Sequence, residues 1–222
     1  MKILITGDKG FIGTQISQFL YDKKTGYTGI DKGDRIPEDR FDIILHFGAR
    51  TLIRNSLERP YEYFTDNEDF TMQILEKCRH DDSAIVFPTS GSVSLPTNPY
   101  SLSKKNGEDW VNMYSKLYGV RSHVLKLFNI YGEGSRKGAV YLFSKAASDN
   151  MPATVYGDGT HRRDFFHYLH CLKVNSRPSI KNYVVRFLFV TIAIVLPYPA
   201  GVFYLMRKYR KYRNRLDQRT RT

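Results

Sequence analysis

Two hydrophobic periods alternate along this 222-residue chain. Lys2 to Thr6 is a short continuous apolar run, and beyond Gly7 to Gly13 residues Ile12, Ile16, Phe19 and Leu20 recur at helical spacing. Strand, glycine turn and helix therefore open the molecule. Tyr27 to Ile30 reads as a second strand ending at Asp31, and Phe41 to Ala49 as a third, buried one. Tyr61 to Arg79 predicts a single helix with Phe64, Phe70, Ile74, Leu75 and Cys78 inward, and Asn67 is the odd polar member of that face. Ala84 to Phe87 is a fourth strand that breaks at Pro88-Thr89-Ser90-Gly91-Ser92. A helix from Tyr100 to about Tyr118 follows, then a strand from Ser122 to Phe128 ending at Asn129. Strands alternating with helices, each ending in small or polar residues, predict an α/β fold built on a parallel sheet with its ligands at the carboxyl ends of the strands.

Glycines at 7, 10 and 13 following a strand and opening a helix suit a dinucleotide. They permit a tight turn, close approach of backbone to a pyrophosphate and close helix packing, while the helix N-terminus offers free N–H groups. The sheet is thus expected to be doubly wound and Rossmann-like. Asp31 stands where an acid hydrogen-bonds the adenosine ribose, and its charge would repel the extra phosphate of NADP. Tyr100 and Lys104 are four apart and share a helix face. A phenol is a poor base at neutrality, and a neighbouring ammonium would favour its ionised form, making proton exchange with a hydroxyl feasible. His46, in the third strand, reads as a packed or cofactor-adjacent histidine rather than a catalyst.

Charge modifies the picture only at one end. The net charge is +12, but from Lys173 onward there are twelve Lys/Arg against one acid, Asp217, so the body is near neutral. No nucleic-acid partner is expected from that distribution. Two cysteines, Cys78 and Cys171, suggest no disulfide framework, and the chain opens directly on a strand, so a cytoplasmic setting is the default. The expected division is 1–172 as the dinucleotide-binding domain and 173–222 as a basic tail. Within that tail, residues 187–206 form an uncharged, mostly apolar run long enough to span a bilayer. Basic residues flank it on both sides, which conflicts with a single crossing from a cytosolic domain. A membrane anchor, a non-homologous tail from a shifted reading frame and a packed hydrophobic helix are the three readings of it.

As a set, TGDKGFIG at 6–13, Asp31, LHFGA at 45–49, Asn67, Ser90, PYSLSKKNGE at 99–108, LFNIYGEG at 127–134 and GDGTHRRDF at 157–165 resemble the NAD-dependent epimerase/dehydratase group of extended short-chain dehydrogenases. The resemblance implies NAD held by Gly7, Gly10, Phe11, Ile12, Gly13, Asp31, Phe47, Gly48, Ala49, Asn67 and Lys104. It implies a nucleotide-sugar substrate contacted by Asn129 and Arg163, and a catalytic triad of Ser90, Tyr100 and Lys104. It also implies a homodimer formed through the Tyr100 helix. Dehydratases of this group carry an acid pair after the triad serine; Gly91 and Ser92 stand there instead, which favours epimerase or ketone reductase chemistry. The pattern departs in three places. The stretch from Ser90 to Tyr100 is short, there is no room between Asp31 and Phe41 for a helix and edge strand, and nothing recognisable follows His167. A smaller sheet, weaker adenine binding and an incomplete substrate region are the corresponding expectations. A catalytically silent binding remnant tethered at a membrane is the alternative to an active enzyme.

Overall fold

The computed structural model describes residues 1–155, 158, 160 and 165–168. Five strands form one parallel sheet: β1 (Ile3–Thr6), β2 (Thr28–Ile30), β3 (Ile43–His46), β4 (Ala84–Ser90) and β5 (Ser122–Leu127), in spatial order β2-β1-β3-β4-β5. The order reverses between β1 and β3, so their carboxyl ends open a crevice at the topological switch point. Continuous apolar strands bury both sheet faces, as a parallel sheet requires. Ile3 and Ile5 join Ile43, Leu45, Val86 and Leu125 beneath Ile16 and Leu20 of α1 (Phe11–Asp22). Leu4, Ile44, Ile85 and Phe87 point the other way, beneath later helices.

Those helices carry the first difference from expectation. The helix foreseen over Tyr61 to Arg79 follows a short α2 (Ile53–Glu58) and divides into α3 (Pro60–Tyr63), a π-helical stretch over Phe64–Asp69 and α4 (Phe70–Asp81). The wider turn has a cause in hydrogen bonding, since it seats the buried Asn67 amide against backbone and side chains of neighbouring segments. The third strand is also shorter than foreseen, because Phe47 to Ala49 leave the sheet to line the crevice.

Helix α5 (Pro99–Tyr118) starts as its sequence dictates. Pro99 occupies the first turn, Asn98 Oδ1 accepts from Ser101 N at 2.9 Å, and Ser101 Oγ accepts from Asn98 N at 3.2 Å. Lys104, Gly107, Val111 and Tyr114 form its buried face. Gly107 sets how closely that face approaches β4, because a Cβ there would lie 2.6 Å from the Phe87 ring. The remaining elements are β6 (Ile130–Tyr131), α6 (Ala139–Ser148) and β7 (Phe166–His167), with β6 and β7 paired in a small separate sheet.

Residues 31–42 hold neither helix nor strand, and the main sheet is correspondingly small. Arg163, the tail from 173 and the apolar run 187–206 lie outside the described residues. Among the described residues no helix is long and apolar enough to cross a membrane.

Candidate active site

Gly7 turns the chain at the end of β1 with φ +72°, and a Cβ on it would lie 2.7 Å from Gly48 N, so two strand ends meet here without side chains. Gly13 is equally constrained, since its Cβ would lie 2.0 Å from Gly7 O. Gly10 caps α1 without any side-chain acceptor, which leaves Phe11, Ile12 and Gly13 at an uncapped helix N-terminus facing the crevice. Asp31 follows directly on β2, with Oδ1 accepting from Lys32 N at 2.7 Å. This floor without side chains, the uncapped helix start and a strand-end acid fit a dinucleotide.

Phe47-Gly48-Ala49 continue the floor from β3, and a polar chain beneath them fixes its height. Gly48 N donates to Thr6 Oγ1 at 2.9 Å, which lies 2.7 Å from His46 Nδ1; His46 Nε2 lies 3.0 Å from Thr71 Oγ1, which donates to Asn67 O at 2.5 Å. Because Thr71 spends its proton on Asn67, it accepts from His46, and His46 in turn accepts from Thr6. That assignment follows from donor counting and requires one neutral tautomer. Burial, reinforced by the Lys104 charge, pushes His46 down to about 3. His46 is therefore a packed structural histidine.

Asn67 is buried, and its side chain bonds protein on both sides: Oδ1 accepts from Arg50 N at 2.7 Å, while Nδ2 donates to Arg50 O at 3.1 Å and to Ser103 Oγ at 2.9 Å. Ser103 Oγ donates to Tyr100 O at 2.9 Å. The asparagine thus connects the strand end carrying Ala49 to the helix carrying Tyr100, a use its sequence position did not reveal.

Ser90, at the end of β4, hydrogen-bonds the Tyr100 phenol through its side chain. Tyr63 braces the same ring edge-on, with centroids 6.5 Å apart, and anchors itself by donating to Leu52 O at 2.5 Å. Lys104 is buried on the same face of α5, Nζ donating to Pro88 O at 3.1 Å and lying 4.8 Å from the Phe87 ring centroid. Burial pushes its ammonium down to about 8. The Tyr100 phenol is itself perturbed. Burial raises the phenol above its ordinary value, the Ser90 bond opposes that, and Tyr63 adds to it. The net direction is upward because burial outweighs the Ser90 bond, while one Lys104 Nζ–H is directed at the Pro88 carbonyl. Asn129 is exposed at the end of β5, with its carbonyl accepting from Phe166 N at 3.3 Å.

A phenol, a serine hydroxyl and a buried lysine beside a dinucleotide crevice define a class of site suited to hydride exchange at a carbon bearing a hydroxyl. The chain belongs to the NAD dependent epimerase/dehydratase family, which it matches over residues 3–174. It is 29% identical to a Bacillus subtilis protein, the uncharacterized UDP-glucose epimerase YtcB, with 78% of this chain and 71% of that protein covered. It is 26% identical to the UDP-glucuronate 4-epimerase of Thermodesulfobacterium geofontis, covering 73% of this chain and 66% of that one. Among solved structures, a UDP-glucuronic acid 4-epimerase from Bacillus cereus, in complex with UDP-glucuronic acid and NAD, superposes with a TM-score of 0.70 at 25% identity. That superposition covers 78% of this chain and 71% of the other. The cofactor of the family is NAD, and the Rossmann-like reading of the sheet holds.

Proposed function

We propose that this protein is a nucleotide-sugar 4-epimerase in which Ser90, Tyr100 and Lys104 form the catalytic triad. The observation that carries the proposal is the Ser90 hydrogen bond to the Tyr100 phenol at the mouth of the crevice, with Lys104 one turn along the same helix. Bound NAD would accept a hydride from the sugar carbon and return it. Tyr100 removes the hydroxyl proton, Ser90 orients the reacting oxygen, and Lys104 holds the nicotinamide ribose. Asp31 accepts a hydroxyl of the adenosine ribose, the turn from Gly7 to Gly13 receives the pyrophosphate, and Phe47, Gly48 and Ala49 support the cofactor from below. Asn129 and Arg163 receive the nucleotide sugar. Epimerisation is favoured over loss of water because Gly91 and Ser92 stand where an acid pair would be needed to move the protons of an elimination. Leu102, Trp110, Met113 and Leu117 are exposed along one side of α5 and support a homodimer through that helix.

The test uses the full chain. Purified protein is offered a panel of UDP-sugars with NAD, and interconversion of C4 epimers is followed by chromatography. Activity that falls at least about a hundredfold in Tyr100→Phe, with NADH binding retained, supports the triad. Reduction of a 4-keto sugar without epimer interconversion would replace epimerase by reductase. Full binding of NADH with no turnover on any sugar would leave a binding protein.

A further inference from the structure

We propose that Asp66 determines cofactor specificity: by holding the Lys32 ammonium away from Asp31, it keeps the ribose end of the crevice anionic and selects NAD against its 2′-phosphorylated form. The inference rests on the placement of the adenosine ribose at Asp31 proposed above. In this fold a strand-end acid receives the ribose 2′-hydroxyl, whereas a nearby cation accommodates a 2′-phosphate. This chain has both kinds of group at the same place. Lys32 follows Asp31 immediately, and Lys9 lies within the glycine turn.

Both cations are occupied by carboxylates. Lys32 Nζ lies 2.8 Å from Asp66 Oδ2, and Lys9 Nζ lies 3.7 Å from Asp34 Oδ2. The two pairs differ in rigidity. Lys9 and Asp34 are 71% and 47% exposed, so solvent competes for them continuously. Asp66 is only 24% exposed, and its Oδ2 also takes Arg50 Nε at 2.5 Å. Arg50 is fixed in turn by Glu62 at 2.5 Å and by both main-chain bonds to Asn67. The anion is therefore placed by the loop after β3, and the lysine, itself 66% exposed, comes to it. As a surface pair this contact adds little to stability. Its consequence lies in where the ammonium resides. With Lys32 at Asp66, a 2′-phosphate would meet Asp31 and the Asp8 carboxylate, which lies against Gly29 of β2, the strand just before Asp31. With the Asp66 charge removed, Lys32 can turn to the phosphate without giving up that pair, and since the gain is bounded by the pair's own worth of about 1 kcal/mol, affinity rises by about fivefold at most.

The experiment is fluorescence titration of the full, nucleotide-stripped chain with NADH and NADPH. Asp66→Asn is expected to raise NADPH affinity relative to NADH by about threefold to fivefold, and added salt to erode the gain. Adding Lys32→Met to that variant is expected to abolish the gain. An unchanged NADPH-to-NADH ratio in Asp66→Asn, or a gain that survives loss of Lys32, overturns the proposal. If Asp66→Asn fails to fold, Lys32→Met alone decides. The proposal expects it to leave NADPH affinity unchanged, and a tenfold fall would show Lys32 already serving the ribose end. Asp31→Asn separates the two levels of the argument: if NADH affinity does not fall, the ribose placement itself is wrong, whatever Asp66 does.

Discussion

Acid sensitivity between pH 6.5 and 4.5 should belong chiefly to one residue, His46. Its folded-state pKa is pushed from 6.5 to about 3, first by burial and then by the Lys104 charge. The neutral ring is what the fold accommodates, so below pH 6.5 the unfolded chain takes up a proton that the folded one refuses. Stability is then full above pH 6.5 and declines as pH falls toward 3. The hydrogen-bond chain explains why relief is unavailable, because a proton on Nδ1 would confront Thr6, whose oxygen already accepts from Gly48 and whose own proton would have no acceptor. Across the whole interval the linkage amounts to about 5 kcal/mol, and down to pH 4.5 to about 3 kcal/mol. The carboxylates held low act later. Glu76, drawn from 4.5 to about 2 by the Arg79 and Tyr114 hydrogen bonds, gives up its contribution only below 4.5, and Asp66 and Asp34 below 3.8. Urea unfolding at steps through the upper window measures the slope, with His46→Gln as the control that accepts and donates without titrating. The variant should start lower and run flat. A wild-type loss below about 1 kcal/mol in that window, or an equal slope in His46→Gln, would refute the hydrogen-bond reasoning.

Two other substitutions probe α5. Lys104→Met removes a charge whose burial, from 10.5 to about 8, amounts to about 3 kcal/mol; after the lost Pro88 bond, a net gain of about 1–2 kcal/mol at neutral pH is expected in chemical denaturation. Because the wild type itself recovers stability as pH rises from about 8 to 10.5, that gain should shrink over the same range, while epimerase turnover falls at least about a hundredfold. Gly107→Ala improves helix propensity by about 1 kcal/mol but drives a Cβ to 2.6 Å from Phe87, so a net loss of about 1–2 kcal/mol is expected by the same assay. Its turnover should drop more than its NADH affinity, since the displaced helix carries Tyr100 while the glycine turn stays in place.

Much of this site was legible because its parts are local. The glycine turn, Asp31 and the Tyr100–Lys104 pair are each fixed by spacing within a single element, and alternating periods suffice to put their elements on one sheet edge. What the pattern could not convey were bonds between segments 17 to 40 residues apart. Thr6, His46 and Thr71 come from β1, β3 and α4, and nothing in their own segments marks them as a chain. Asn67 was visible as an anomaly on an apolar helical face, but the π-helical turn that aims its amide at Arg50 and Ser103 depends on tertiary bonds that no helical periodicity encodes. Helix α6 was missed for a related reason, since none of its residues is buried among the described residues and no inward stripe marks it. The direction of the Tyr100 shift shows the limit most directly. An ammonium four residues away on the same face implies a lowered phenol, and only the position of Pro88 O reveals that the ammonium is turned toward the strand. The pair shares one helix as its spacing implied, yet burial, and not the neighbouring ammonium, governs the phenol.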